Sequence, residues 1–209
     1  MGGRVARNIL VETLCRRRHR IPGGRGVVRR PVPDVRGVHL AARPAQRAAR
    51  LRAQIRLGGA VDARELRSAA PFDNGDLGER DEKLLPTPRV PEQVLAERAN
   101  YYGMVSEVDF QIGRILDALE KSGKAGNTII VFTSDNGLCV GEHGLLGKQN
   151  LYEAAVRIPM VICGPGIPQN TVRDAYCYLY DLYPTLCGLA GIGVPATVKG
   201  ISLEETLRN

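Results

Sequence analysis

Several features are scarce or absent in this sequence. It has no tryptophan and only five cysteines, an odd number without C-x-x-C spacing, which argues against a zinc ribbon or a disulfide scaffold. No run reaches the roughly 18 to 20 apolar residues of a membrane span, so no membrane span is expected. Near the N-terminus, Glu12 interrupts the short apolar run Ile9–Val11, so no secretory signal is visible and the compartment stays open.

Lysine is absent from the first 70 residues, and its absence marks a division of the chain. Residues 1–70 contain 17 arginines and four acidic residues, a net charge of +13, whereas residues 71–209 contain 12 basic and 18 acidic residues, a net charge of −6. A chain of 209 residues with 44% hydrophobic content can bury one sizeable core. We therefore predict an arginine-rich segment over 1–70, poorly structured or mistranslated, followed by one folded domain over 71–209.

The arginine-rich segment allows three interpretations. Its composition fits a nucleic-acid-binding arm, a basic targeting segment, or GC-rich DNA translated in the wrong frame, which over-produces Arg, Ala, Gly and Pro. The abrupt change of composition near Ala70–Pro71 favours mistranslation. Residues 1–70 contain no aromatic side chain on which a base could stack, so no nucleic-acid partner is expected. A non-catalytic protein whose arginine-rich segment binds nucleic acid stays an alternative.

The second part of the chain has the pattern of an α/β domain. A polar, proline-punctuated loop over 71–91 is followed by apolar residues at three- and four-residue steps, which predict a helix from Pro91 to a stop at Gly123. Apolar runs and end signals then predict buried strands over 128–132 and 158–163, a helical turn over 151–156, and a helix from its cap Asp181 to Gly191. This order is typical of a mainly parallel sheet flanked by helices.

Polar residues with metal-binding chemistry follow the first predicted strand. Asp135 and Asn136 offer a carboxylate and an amide oxygen where ligands gather in open parallel sheets, and such oxygens suit Ca²⁺ or Mg²⁺. Lys148 stands 13 residues beyond Asp135 in a glycine-rich loop, which can fold back and bring an ammonium to a bound anion. Taken singly, an Asp-Asn-Gly turn, a loop lysine and His143 are ordinary surface or structural features. Their combination predicts a site for a sulfate or phosphate ester.

A series of short motifs follows in order from residue 127. They are Asn127-Thr-Ile-Ile-Val-Phe-Thr-Ser-Asp-Asn-Gly137, Gly141-Glu-His-Gly144, Lys148, Leu151-Tyr-Glu153, Arg157-Ile-Pro159, Gly164-Pro-Gly166 and Tyr180-Asp-Leu-Tyr-Pro-Thr185. The series resembles the sulfatase family of the alkaline phosphatase superfamily over about residues 71–209. The resemblance implies an alkaline phosphatase-like fold, one Ca²⁺ ligated by Asp135 and Asn136, and contact between Lys148 and the sulfate ester near its leaving oxygen. His143 lies in the same motifs and is the second catalytic candidate.

The resemblance also implies features that this sequence does not contain. The family's nucleophile is a formylglycine made within a C/S-x-P-x-R motif, and a pair of aspartates completes its calcium site. Here Cys15 is followed by Arg16-Arg-Arg-His19, and no Asp-Asp pair occurs. We therefore expect a sulfuric ester hydrolase fragment with an incomplete Ca²⁺ site, inactive on its own, whose substrate is an aryl, carbohydrate or other small sulfate ester. A phosphatase or phosphonate monoester hydrolase of the same superfamily is an alternative, and a periplasmic or extracellular location would be usual for the family.

Overall fold

A computed structural model of the chain describes residues 66–208, which form two compact units. The first, called the loop unit, comprises residues 66–121 and 133–160, and the second, called the sheet unit, comprises residues 122–132 and 161–208. Residues 1–65 of the arginine-rich segment, which was predicted over 1–70, lie outside the described residues. In the part of the chain that is described, every helix is too short or too polar to cross a membrane.

The longest element is helix α1, Pro91–Lys121, in the loop unit. It begins at the predicted proline, and Gly123 just beyond its end has a φ of 70°, a conformation that suits glycine. The buried positions of α1 include Val94, Arg98 and Glu107. Two of these three positions carry charged side chains, so the most buried side of the helix is not the apolar side whose spacing predicts it.

The sheet consists of two strands, β1 (Ile130–Thr133) and β2 (Met160–Cys163), both close to the predicted positions. Their residues are mostly half-buried rather than fully buried. The pair is antiparallel, and Gly164 after β2 lies against Ile129 before β1. The chain between the strands contains a single four-residue helix, α2 (Glu153–Val156), which is too short for the crossover that a parallel pair needs. A mainly parallel sheet commonly includes one such antiparallel pair.

Helices α3 (Leu182–Ala190) and α4 (Glu204–Arg208) complete the sheet unit. Asp181 precedes α3 as predicted, but its carboxylate makes no capping hydrogen bond to that helix. It accepts instead from the backbone N–H groups of Tyr178, at 2.8 Å, and Ile201, at 2.9 Å. The prediction that Asp181 caps α3 is therefore wrong, because its carboxylate binds backbone N–H groups before and after the helix and none in the first turn of α3.

Residues 66–70 pack with the loop unit, although composition alone places them in the arginine-rich segment. Leu66 forms an antiparallel bridge with Glu142, and Ala70 packs against the buried cluster of Cys139, Leu145 and Ala155. The packed structure therefore begins before Pro71.

Candidate functional site

Asp135 and Asn136 occupy the bend that follows β1, as the sequence predicts. The Asp135 side chain is exposed, and its Oδ1 accepts from the Asn136 backbone N–H at 2.9 Å. The Asn136 amide nitrogen donates to the Gly137 carbonyl at 2.8 Å. Among residues 66–208, Asp135 Oδ2 and Asn136 Oδ1 accept no hydrogen bond, so one carboxylate oxygen and one amide oxygen stay available to a ligand.

Gly137 fixes the position of this bend. Its N–H donates to the Ala155 carbonyl at 2.8 Å, which ties the residues after β1 to helix α2. A Cβ atom at Gly137 would overlap the carbonyl oxygen of Ala154, a backbone atom that cannot rotate away. Only glycine therefore permits this close approach.

The glycine-rich loop, residues 139–147, folds back on itself. Backbone N–H groups donate across it from Cys139 to the Gly147 carbonyl at 3.0 Å and from Gly141 to the Leu145 carbonyl at 2.7 Å. Because Cys139 pairs with Gly147, the end of the loop lies beside its beginning, and Lys148 is the next residue along the chain. Lys148 is half-buried, but no hydrogen bond or ion pair joins its ammonium to Asp135, Asn136 or any other described residue.

A buried ion pair that the sequence analysis missed holds the glycine-rich loop. Glu82 accepts from the Gly147 N–H at 2.7 Å and the Leu146 N–H at 3.0 Å, and its other carboxylate oxygen accepts from Arg89 at 2.7 Å. Arg89 also donates to the Gly144 carbonyl at 3.3 Å. The Glu82 and Arg89 side chains are only 6% and 5% exposed. The polar segment before α1, predicted as a loop, thus positions the residue that precedes Lys148.

His143 lies at the tip of the glycine-rich loop, whereas Lys148 follows its base. It has a left-handed φ of 55°, and its ring stacks on that of Tyr152, with centroids 3.8 Å apart and planes 13° from parallel. No hydrogen bond joins the two catalytic candidates in the part of the chain that is described. A catalytic role for His143 stays a prediction.

Cys139 and Cys163 are buried, whereas Cys177 is exposed. Burial raises the pKa of the Cys139 thiol, and the negative charges of Glu142 and Glu82 add to this rise, while the hydrogen bond with Asn150 lowers it. A raised pKa leaves less thiolate at a given pH, so Cys139 has the environment of an inert cysteine.

Alkylation should distinguish Cys139 from Cys177. With iodoacetamide at pH 8, we expect Cys139 to react at least about tenfold more slowly than Cys177, because burial limits both access and thiolate formation. Peptide mass spectrometry over time measures both rates in one sample. In urea the two rates should converge, and equal rates in the folded protein would contradict the buried position of Cys139.

Asp135 and Asn136 match Ca²⁺ in ligand type but not in number. Calcium takes about six to eight oxygen ligands, and two adjacent side chains supply at most three. Residues 66–208 contain no group of three His, Cys, Asp or Glu side chains that could hold a metal ion. The described residues therefore fit one part of a calcium site.

Comparison with known proteins gives consistent results. A family model described as Sulfatase matches residues 46–192. Arylsulfatase K of Mus musculus is 40% identical over 112 residues, which are 54% of this chain and 20% of that protein. A phosphonate monoester hydrolase from Silicibacter pomeroyi superposes with a TM-score of 0.58 at 29% identity, covering 68% of this chain and 31% of that one. A protein solved with its substrate D-glucosamine-2-N,6-O-disulfate gives a TM-score of 0.56 at 37% identity, covering 62% and 26%.

These matches confirm the predicted alkaline phosphatase-like fold and the resemblance noted in the sequence. The matched region spans about a fifth of the length of the curated relative and about a quarter to a third of the solved structures. The family model covers well over half of the 209 residues. The chain therefore belongs to the sulfatase family.

Proposed function

We propose that this chain carries the calcium-ligand and leaving-group part of a sulfate ester hydrolase site. The observation that carries the proposal is the bend after β1. There, Asp135 and Asn136 each keep an oxygen free of hydrogen bonds among the described residues, and Gly137 is tied to Ala155 at 2.8 Å. A bend held in this way fixes the backbone that carries two hard oxygen ligands.

Each residue has a distinct role in this proposal. Asp135 and Asn136 would hold Ca²⁺, and the ion would supply positive charge that offsets the negative charge of the sulfate oxygens. Lys148 donates from its ammonium to the ester near the leaving oxygen, where negative charge develops as the alcohol departs. The described residues give Lys148 no carboxylate partner, so its charge is not already neutralised within the loop unit.

Binding of inorganic sulfate by the full chain tests the role of Lys148. We expect Lys148→Ala to weaken sulfate binding about tenfold or more, because a charge-assisted hydrogen bond contributes about 1.5–3 kcal/mol. Chemical-shift titration with sodium sulfate, at an ionic strength held constant with sodium chloride, gives the affinity. Lys199→Ala removes an exposed lysine of the sheet unit and should leave the affinity unchanged. Equal effects of the two substitutions would refute the role of Lys148.

Turnover by the chain alone is not expected. The 209 residues contain no C/S-x-P-x-R motif, and the described site offers two of the several ligands that calcium needs. Incubated with 4-nitrophenyl sulfate and Ca²⁺, the purified chain should release no 4-nitrophenol above the rate in buffer. Release that required Ca²⁺ would overturn the proposal that this chain is inactive on its own.

Hydrolysis of phosphonate monoesters is the second candidate function. The superposition on the Silicibacter pomeroyi phosphonate monoester hydrolase favours it. Asn136 favours the sulfate ester, because a histidine at that position would suit a transition metal better. Titration of the same chain with phenyl sulfate and with phenyl methylphosphonate, both monoanionic phenyl monoesters, separates the two functions, and tighter binding of the phosphonate monoester would favour the second.

A further inference from the structure

Val140, in the glycine-rich loop, has a left-handed backbone conformation with a φ of 43°. This region disfavours a β-branched residue, because the Cβ atom comes too close to a carbonyl oxygen. Such a conformation persists only where the surrounding contacts enforce it, and residues of this kind cluster at functional sites. The Val140 N–H donates to the carbonyl of Leu146, two residues before Lys148, at 3.2 Å. The strained residue is therefore part of the pairing that places Lys148.

Helix α1 supplies the contacts that enforce this conformation. Arg98 Nε donates to the Val140 carbonyl at 2.7 Å, and the Arg98 side chain is only 7% exposed. One turn earlier on the same face of the helix, Val94 is buried, and a Cβ atom at Gly141 would overlap its side chain. These two residues of α1 thus hold two consecutive residues of the loop, one by a hydrogen bond and the other by close packing.

The guanidinium of Arg98 is buried with few partners. Its Nη2 atom makes no hydrogen bond within residues 66–208, and an oxygen of the Glu142 carboxylate lies 3.9 Å from it. Burial of a charge costs free energy unless the charge is closely paired and hydrogen-bonded, so an apolar side chain at this position would cost less to bury. Stability therefore does not account for this arginine, whereas a fixed Val140 carbonyl does.

We propose that Arg98 is a positioning residue for Lys148, acting through Val140 and the pairing of the glycine-rich loop. Its hydrogen bond fixes the Val140 carbonyl, which keeps Val140 left-handed and its N–H directed at the Leu146 carbonyl. Without this bond Val140 relaxes to a more favourable φ, and the chain that leads to Lys148 moves with it. The sulfate that Lys148 would contact rests on the proposed function, whereas the hold on the loop rests on the contacts of Arg98.

Amide hydrogen exchange of the full chain tests the hold on the loop. We expect Arg98→Met to accelerate exchange about tenfold at Cys139 and Val140, whose N–H groups donate across the loop. Methionine keeps an apolar stem, and the Glu142 side chain is 38% exposed and can reach water, so no charge is left buried. Arg98→Lys keeps a donor for the carbonyl and should restore most of the protection. Arg114→Met removes an exposed arginine of the same helix and should change neither amide.

Val140→Gly separates this role from a general loss of stability. Glycine adopts a left-handed φ without steric cost, so it does not need to be held there. In the Val140→Gly background, Arg98→Met should accelerate exchange at Cys139 by less than about threefold. Amides within α1 should keep their rates in every variant, whereas unfolding of the whole loop unit would accelerate them as well. Equal acceleration with valine and with glycine at position 140 overturns the proposal.

Sulfate affinity links Arg98 to Lys148. In a titration with sodium sulfate at constant ionic strength, Arg98→Met should weaken binding about three- to tenfold, because the ammonium is displaced and not removed. In the Lys148→Ala background, Arg98→Met should weaken binding no further, since a positioning residue acts only through Lys148. Additive effects of the two substitutions overturn the proposal.

The outcomes distinguish the positioning role from the proposed function. If Lys148→Ala weakens sulfate binding and Arg98→Met does not, the sulfate role stands and the positioning role is overturned. If Lys148→Ala has no effect, the sulfate role fails, while faster exchange in Arg98→Met that Arg98→Lys reverses still supports the hold on the loop. Unchanged exchange at both Cys139 and Val140 overturns the proposal in either case.

Discussion

Glu82→Ala should lower the free energy of unfolding by about 3–5 kcal/mol, the range expected when one partner of a buried ion pair is removed. The substitution leaves the Arg89 guanidinium, only 5% exposed, without its carboxylate. It also leaves the Leu146 and Gly147 N–H groups without the acceptor that they share. The buried donors left without an acceptor, at about 1–3 kcal/mol each, account for part of this loss.

Urea unfolding of the full chain measures this loss. Glu79→Ala is the matched control, because Glu79 is exposed in the same segment, and it should change the free energy of unfolding by less than about 0.5 kcal/mol. Amide exchange at Leu146 and Gly147 should accelerate in Glu82→Ala under native conditions. A loss below about 1 kcal/mol, or unchanged exchange at both amides, would show that the pair does not hold the glycine-rich loop.

Gly137→Ala should destabilise the chain by about 3 kcal/mol, the upper part of the range for inserting a methyl group into packed structure. The new Cβ atom overlaps the Ala154 carbonyl oxygen, so either the bend after β1 or helix α2 must move. That movement breaks the hydrogen bond between Gly137 and Ala155 and displaces Asp135 and Asn136. Urea unfolding of the full chain measures this loss of stability.

Gly113→Ala provides the matched control for Gly137→Ala. Gly113 lies within α1, and a Cβ atom there would meet no atom within 4 Å. Alanine should therefore stabilise the helix by about 0.5–1 kcal/mol through its better helix propensity. If Gly137→Ala were as stable as the parent chain, the close approach at the bend would be wrong.

The sequence predicts well those elements whose signals are local. Helix α1 follows from its apolar spacing, its first-turn proline and Gly123, and α3 follows from its stop at Gly191. The antiparallel pairing of β1 and β2 is not predictable in this way, because an apolar run has the same appearance in either direction. The connecting segment, with only α2 as a helix, determines the direction.

The candidate site was predicted in part. The position of Asp135 and Asn136 after β1 and the return of the glycine-rich loop follow from residue types and spacing. The Glu82–Arg89 pair does not, because Glu82 is separated from its partners Leu146 and Gly147 by 64 and 65 residues and belongs to no motif. The family match begins at residue 46, before the change in composition near residue 70. Amino-acid composition therefore does not locate the boundary of the family domain.

The hydrogen bond between Gly137 and Ala155 also affects how far residues 138–154 can change in length. It joins the two ends of the segment 138–154, so that segment forms a closed loop on a fixed base. Doubling the length of a closed flexible loop costs only about 0.6 kcal/mol in entropy. The part of this segment around Leu151 can therefore change in length without rebuilding β1 and β2, provided that the Leu146 and Gly147 amides stay bound to Glu82.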